Sequence, residues 1–399
     1  MLTKKILLGV TGSIAAYKAA ELIRLLRKDG YFVQVIMTKS AKEFITPLTL
    51  QALSGNPVLE NMWGPDEGNG MEHINLSRTA DLILIAPASA NFIAKIANGL
   101  ADDLLTNLCL ARKCPLLIAP AMNIEMFSNS STQRNLATIK KDGVHVSGPD
   151  HGDQACGDFG MGRLINYESL MLDIKRSTSG LLFKGKKILI STGATVEKID
   201  DARAITNLSS GFMGLCLANA AYEFGADVTV IKGVSSHSIP SCIKSIDARN
   251  HNEMHEAITS NVRGVDIYIS VAAISDYKPI SNDGKIKKSN SKITLNLMPT
   301  QDILGSIGRE NGNTFLVGFA AESSNLISNA KKKLKSKNLD IVIGNLISQS
   351  MGKSSAEIII VDNKGEKILP EAPKPELSKI ILRHIHKTFS KEKSYEPIS

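Results

Sequence analysis

The sequence predicts an α/β protein built from two doubly wound, Rossmann-like domains, and three observations carry that reading. Two segments open alike: Lys5-Ile6-Leu7-Leu8-Gly9-Val10-Thr11-Gly12-Ser13 and Lys187-Ile188-Leu189-Ile190-Ser191-Thr192-Gly193-Ala194-Thr195. Each is a lysine, an apolar run and a Gly/Ser/Thr turn, the pattern of a buried parallel strand that ends in an anion-tolerant turn. Strand-like and helix-like runs alternate after each opening, as in a parallel sheet covered on both faces. The chain has 399 residues, too many for one ordinary core and enough for two.

The first half reads in order as follows. Ile6–Val10 is a strand and Ile14–Lys28 a helix. Phe32–Met37 is a strand, and Phe44-Ile45-Thr46-Pro47 starts a helix with proline in its first turn. Ala80–Pro87 is a strand stopped by its proline, Phe92–Asn98 and Asp103–Ala111 are helices, and Pro115–Ala119 is a strand stopped at Pro120. Ligands of such sheets bind beyond the carboxyl ends of the strands. The candidate site pieces are therefore Gly12-Ser13, Thr38, Pro87-Ala88-Ser89-Ala90-Asn91 and Pro120-Ala121-Met122-Asn123. The turn at Gly12 lacks the full dinucleotide fingerprint and has no Walker A lysine. Combined with Ser89, Asn91 and the turn at Asn123, it fits a phosphate-bearing flavin. Residues 144–163 show little periodicity, as lids and binding loops do. A short helix, Glu168–Arg176, precedes the polar linker Ser177-Thr178-Ser179-Gly180, which places the domain boundary between residues 1–179 and 180–399.

In the second half, Lys187 opens a strand, and Asn207 to Gly214 lead into a helix ending near Glu223. Strands are expected at Asp227–Ile231, Asp266–Val271, Thr314–Phe319 and Asp340–Gly344, with helices at His251–Val262 and Asn325–Lys337. Pro279–Leu297 reads as a β-hairpin arm. Ala356–Val361 and Glu366–Leu369 read as a hairpin about Asp362-Asn363-Lys364-Gly365, before a final helix Pro375–Phe389 and a loose tail from Lys391.

Composition narrows the function. Hydrophobic residues at 43% and charged residues at 22% are those of a globular enzyme. No apolar stretch is long enough to span a bilayer and no signal-peptide core opens the chain, so a cytoplasmic protein without a membrane partner is expected. The net charge of +8 suits anionic small substrates, and scattered lysines with 5% aromatics argue against nucleic acid. Five cysteines fit neither a disulfide framework nor a zinc site. Cys156 stands apart from the other four, in the glycine-rich Asp153-Gln154-Ala155-Cys156-Gly157-Asp158, where packing gives no reason for a thiol.

Other candidates have ordinary alternatives. His73 is either functional or a surface histidine. His251 and His255 share a helix face but lack the glutamate of a metal motif. Lys333 and Lys337 project from one helix face, which is usually a solvated one. Asp276, at a strand end, is placed to hold Mg²⁺ or a ribose, or to cap the next turn.

Several motifs resemble known families. Gly12-Ser13-Ile14-Ala15-Ala16-Tyr17-Lys18, Pro120-Ala121-Met122-Asn123-Ile124-Glu125-Met126 and Ala155-Cys156-Gly157 resemble flavin-dependent cysteine decarboxylases. Glu197-Lys198-Ile199-Asp200, Asn207-Leu208-Ser209-Ser210-Gly211, Gly318-Phe319-Ala320-Ala321-Glu322 and Lys333-Leu334-Lys335-Ser336-Lys337 resemble phosphopantothenate–cysteine ligases. In this order, over residues 1–390, the chain resembles the bacterial bifunctional coenzyme A biosynthesis family.

The resemblance implies a flavodoxin-like decarboxylase domain followed by a ligase domain with a hairpin arm. The ligase would join 4′-phosphopantothenate to L-cysteine with CTP and Mg²⁺ through an acyl-cytidylate. The decarboxylase would convert the product to 4′-phosphopantetheine with FMN, through a thioaldehyde whose electron sink allows CO₂ to leave, with no net redox change. It implies that His73 acts on the substrate thiol, Asn123 holds the cysteine carboxylate and Cys156, on a flap, donates the final proton. It places FMN at Gly12, Ser13, Thr38, Ser89, Ala121 and Met122. It gives Asn207 a role in turnover of the acyl-cytidylate, and assigns CTP to Ala272, Asp276, Lys285, Gln301, Asp302, Ile303, Leu304, Phe319, Lys333 and Lys337, with Lys287 and Lys288 as alternatives to Lys285. Asp276 is the candidate Mg²⁺ ligand. The chain departs from the family pattern at Ala194, Asp201 and Phe127 without losing a charged or nucleophilic group. Homologous flavin domains form trimers or dodecamers and ligase domains form dimers, so a homo-oligomer is implied. The rival readings are an NAD(P)-dependent oxidoreductase and a non-enzymatic flavoprotein regulator, neither of which explains Cys156 together with the ligase motifs.

Overall fold

A computed structural model describes residues 3–62, 72–281, 284–288, 292–310, 312–350 and 352–393. The chain divides into two compact units, Met1–Ser179 and Gly180–Ser399.

The strands of the first unit are β1 Lys5–Val10, β2 Phe32–Met37, β3 Leu82–Ala88, β4 Leu116–Pro120, β5 His145–Val146, β6 Asp150–Asp153 and β7 Phe159–Arg163. Strands β1 to β5 form a parallel sheet in the order β2-β1-β3-β4-β5. The period of two along β1 distributes its side chains to two cores. Ile6, Leu8 and Val10 meet Leu22 and Leu26 of the helix Ala19–Lys28 and Leu170 and Ile174 of the helix Tyr167–Thr178. Leu7 faces the other way, with Phe92, Leu105, Leu108 and Ile139. The expected helix from Ile14 begins as a 3₁₀ turn, Ile14–Lys18, and becomes α-helical at Ala19. The helix expected from Phe44 starts at Pro47, capped by Thr46, and a further 3₁₀ turn covers Lys39–Glu43. Strand β3 runs one residue past Pro87, because Ala88 still pairs with Pro120.

The segment 144–163 corrects an expectation more substantially. After β5 it folds into an antiparallel hairpin of β6 and β7, with Cys156 in the turn. Alternation is present in Phe159-Gly160-Met161-Gly162-Arg163, but inverted: the glycines are buried, while Phe159 is 65% exposed. The inward positions admit nothing larger. A Cβ on Gly160 would lie 2.1 Å from Ile124 Cδ1, and one on Gly162 would lie 2.3 Å from the Met122 carbonyl oxygen.

The second unit contains β8 Lys187–Thr192, β9 Val196–Lys198, β10 Ala204–Thr206, β11 Asp227–Lys232, β12 Lys244–Asp247 and β13 Ile267–Ser270. It continues with β14 Tyr277–Pro279, β15 Leu297–Pro299, β16 Phe315–Glu322, β17 Ile341–Leu346, β18 Ser355–Asp362 and β19 Gly365–Pro373. Eight of these form one sheet in the order β12-β11-β8-β13-β16-β17-β18-β19, parallel through β17 and antiparallel for the final hairpin. Its helices include Phe212–Glu223, His251–Val262, Ile303–Arg309, Leu326–Ser336 and Lys374–Lys393. Among the described residues the arm pairs at its base, β14 with β15, and Ile293 to Asn296 are not strand. The tail beyond Lys393 lies outside the described residues.

Candidate active sites

In the first unit the strand ends and the helix caps coincide. Ser13 Oγ accepts from the Ala15 N–H at 3.3 Å and donates to the Ala121 carbonyl at 3.1 Å, tying the turn after β1 to the turn after β4. Thr11 bridges in the same way, donating to the Pro87 carbonyl at 2.8 Å and accepting from the Ser89 N–H at 2.9 Å. Ser89 caps the helix Ala90–Ala97, and Asn123 Oδ1 caps Ile124–Ser128. Gly12 lies against Ser40, where a Cβ would come within 2.6 Å of the serine Cβ.

The turns after β1 and β4 and the β6–β7 hairpin border a cavity of about 500 Å³, lined by Ser13, Ala121, Met122, Asn123, Gln154 and Cys156 among others, whereas Gly12, Thr38 and Ser89 do not line it. Asn123 Nδ2 donates to Asp158 Oδ2 at 2.6 Å and lies 3.3 Å from Cys156 Sγ, which itself donates to Asp158 Oδ2 at 3.3 Å. Gln154 holds the hairpin down: its Oε1 accepts from the Ile124 N–H at 2.9 Å and its Nε2 donates to the Met161 carbonyl at 3.1 Å. Burial, with Arg163 beside it, pushes the Lys18 ammonium at the cavity wall below the ordinary lysine value. Cys156 is exposed, whereas burial pushes the Cys109 thiol up to about 12 and the Cys216 thiol up to about 11. The structure thus brings Ser13, Ala121, Met122, Asn123 and Cys156 together, with Gln154 and Asp158 as participants the sequence reading missed. His73 is on the helix Glu72–Thr79, and its side chain lies outside the described residues.

Thr38 supplies a test of whether this end of the sheet fits a flavin. Its Oγ1 is buried and has no hydrogen-bond partner. An unsatisfied buried hydroxyl costs about 1–3 kcal/mol, a cost that a ligand's polar atom removes. Thr38→Val should therefore leave flavin-stripped protein as stable or more so while weakening FMN binding about tenfold. Thermal melts and fluorescence titration with FMN measure the two quantities, and unchanged FMN affinity would exclude Thr38 from the site.

In the second unit, β8 and β13 end side by side. Ala273 N–H donates to the Gly193 carbonyl at 2.8 Å, and Asn207 Nδ2 donates to the Ala273 carbonyl at 2.9 Å. Ala272 is adjacent, and Asp276 follows with an exposed carboxylate. Lys333 is not on a solvated face. Its Nζ donates to the Phe319 carbonyl at 2.6 Å, and burial, reinforced by Lys337, holds its ammonium below the ordinary lysine value. Asp302, Glu322 and Asp276 are the acidic groups that act on it. Lys337 pairs with Asp302 at 2.8 Å, and Asp302 caps Ile303–Arg309. Burial raises the Asp302 pKa, but Lys337 and the Gly305 N–H outweigh it and hold the carboxyl below the usual range. Asp276, Asp302, Phe319, Lys333 and Lys337 therefore form one cluster, with Ile303 and Leu304 buried beneath it and Gln301 beside it. Lys285 is not tied into it. Its neighbour Ile286 bonds instead to Asp200 and Arg203 in the β9–β10 turn.

The pair His251 and His255 stacks with centroids 6.4 Å apart, and His251 Nε2 bonds to the Gln301 carbonyl at 2.8 Å. Among the described residues no cluster of three or more His, Cys, Asp or Glu side chains could hold a metal. Nor is any described helix long and apolar enough to cross a membrane.

Each unit gathers candidate site residues at the carboxyl ends of a doubly wound sheet, and the first carries a thiol-bearing hairpin. The comparisons give this class its family. Residues 1–179 match the Flavoprotein family model, and residues 183–389 match that of the DNA/pantothenate metabolism flavoprotein C-terminal domain. The Coenzyme A biosynthesis bifunctional protein CoaBC of Vibrio vulnificus (strain CMCP6) is 43% identical over 389 residues, 96% of this chain and 97% of its own. That of Escherichia coli (strain K12) is 38% identical over 391 residues, 96% of each. The crystal structure of a CoaBC C-terminal domain is 30% identical, covers 53% of this chain and all of its own, and superposes with a TM-score of 0.46.

The chain belongs to the coenzyme A biosynthesis bifunctional protein family. It is a bifunctional enzyme of coenzyme A biosynthesis, with a flavoprotein decarboxylase function and a ligase function.

Proposed function

We propose that residues 180–399 join 4′-phosphopantothenate to L-cysteine at the expense of CTP, and that residues 1–179 decarboxylate the product with FMN. The observation that carries the first-unit assignment is the meeting of Asn123 and Cys156 over one cavity whose floor is the Ser13–Ala121 contact. A carboxylate already sits on the Asn123 amide, that of Asp158 at 2.6 Å. We read it as occupying the place of the substrate's cysteine carboxylate. FMN, when bound, supplies reversible hydride acceptance. Ser13, Thr38, Ser89 and the turn at Ala121 and Met122 would hold it, and Asn123 would orient the carboxylate that is lost. Cys156 then gives its proton to the enethiolate carbon, while the hairpin keeps water out.

In the ligase, Lys333 and Lys337 neutralise the triphosphate of CTP, which must happen before a carboxylate can attack phosphorus. Asp276 would hold Mg²⁺, which would supply positive charge against the triphosphate; one or two carboxylates suffice for Mg²⁺ when phosphates are present. Asn207 acts after activation, when cysteine attacks the acyl-cytidylate. Ile14 at 57% and Tyr17 at 59% exposure stand at the mouth of the flavin cavity, which supports a homo-oligomer that covers them.

The test uses the full chain and two fragments. The full protein should be yellow and make 4′-phosphopantetheine from 4′-phosphopantothenate, cysteine and CTP. Residues 1–179 alone should keep the flavin and decarboxylate, and residues 180–399 should be colourless and ligate. Flavin retained by the second fragment would overturn the assignment.

A further inference from the structure

One buried polar side chain of the ligase unit is used neither by the proposed reaction nor fully by the packing. His251 opens the helix His251–Val262 and is only 4% exposed. Its Nε2 donates to the Gln301 carbonyl at 2.8 Å, whereas its buried Nδ1 has no hydrogen-bond partner among the described residues. An aliphatic side chain would fill such a place without stranding a polar atom, so packing gives no reason for an imidazole. The reason lies in the one bond that the ring makes.

That bond ends on a segment with an anchor on either side. Before it, the Thr300 N–H donates to the Asp276 carbonyl at 2.9 Å, and Thr300 Oγ1 donates to the Ser275 carbonyl at 2.6 Å. After it, Asp302 pairs with Lys337 and caps Ile303–Arg309. Gln301 lies between them, exposed, with its carbonyl held by His251. The histidine is itself fixed through its main chain: its N–H donates to Glu197 Oε1 at 2.8 Å. Glu197 is 6% exposed and belongs to β9, which pairs with β10 just before Asn207. Two site pieces far apart in sequence therefore meet on one residue.

We propose that His251 is a positioning residue of the ligase, whose ring sets the Gln301 carbonyl, and with it Asp302 and its Lys337 pair, in the place that CTP needs. This rests on the reading of residues 301–304 as a CTP-contacting stretch. The ring acts through Gln301 and not on the nucleotide. It removes conformational freedom from the segment before CTP arrives, so its loss appears in the use of CTP and not in the chemical step.

The test is steady-state ligation by the full chain, with CTP, cysteine and 4′-phosphopantothenate varied in turn, beside thermal melts. His251→Leu should raise the KM for CTP about tenfold, with kcat and the other two KM values within about twofold. His251→Gln, whose side-chain amide can reach the place of Nε2, should restore most of the loss. His255→Leu alters the stacked neighbour without touching the Gln301 bond and should match the unmutated chain. If His251→Leu fails to fold, His251→Asn takes its place, since its amide falls short of Gln301. Normal CTP use without the bond would overturn the inference, as would a loss shared equally by all three substrates or one that His251→Gln does not relieve. Lys337→Ala tests the underlying reading. If it alone raises the CTP requirement, the nucleotide site stands and His251 has no part in it. If neither variant does, residues 301–304 and their cluster do not meet the nucleotide.

Discussion

Cys156→Ser should still release CO₂ from 4′-phosphopantothenoylcysteine but yield at least a hundredfold less 4′-phosphopantetheine, with the enethiol accumulating. A positioned general acid contributes roughly 10²–10⁴-fold, and a serine hydroxyl is far too weak an acid to replace a thiol. The fold should survive, because Cys156 is exposed in a turn that is held by Gln154 and by backbone bonds between Gln154, Gly157 and Asp158. Mass spectrometry of the products with CO₂ measured in parallel decides the matter. Normal 4′-phosphopantetheine output from the variant would remove Cys156 from the reaction.

The second large effect is expected at Lys333 and Lys337. Each charge-assisted phosphate contact is worth about 1.5–3 kcal/mol, or about ten- to a hundredfold in an equilibrium constant. Lys333→Met and Lys337→Ala should raise the CTP requirement of ligation by that factor, with decarboxylation untouched. On a solvated helix face such changes cost within about 0.5 kcal/mol. The Lys333 bond to the Phe319 carbonyl and the Lys337 pairing with Asp302 already separate these two side chains from that situation. Asn207→Ala supplies the contrast: CTP dependence should stay near normal while the acyl-cytidylate accumulates. Unchanged CTP dependence in both lysine variants would withdraw the nucleotide from this cluster.

What was legible in the sequence follows from which forces act locally. The strands β1 and β8 were readable because their apolar runs end in small polar turns, and β2 and β11 because only one polar residue each, Gln34 and Thr229, interrupts an otherwise apolar run. That Cys156 lies outside the core was readable, because a thiol among glycines has no packing role. Lys333 was not, since helical spacing says which residues share a face but not what that face meets. Here it meets the Phe319 carbonyl of β16. The β6–β7 hairpin was missed for a related reason: its buried positions are glycines, so hydrophobic periodicity had nothing to register. His251 and His255 had the spacing of a metal pair, yet a carbonyl from a distant turn had already taken one ring nitrogen. Asp158 and Gln154 gave no signal at all, because their part depends on where the hairpin tip lands relative to Asn123.

The inward glycines of β7 also govern how this enzyme can vary over time. Gly160 and Gly162 lie directly on Ile124 and Met122, so the hairpin is fastened by main chain at every second position. Variation compatible with the fold is channelled to Phe159 and Met161, which face outward. Lineages can therefore recolour the outer surface of the hairpin, adapting it to different neighbours, without displacing the thiol at its tip. The machinery and its exterior are separable heritable traits on one short strand.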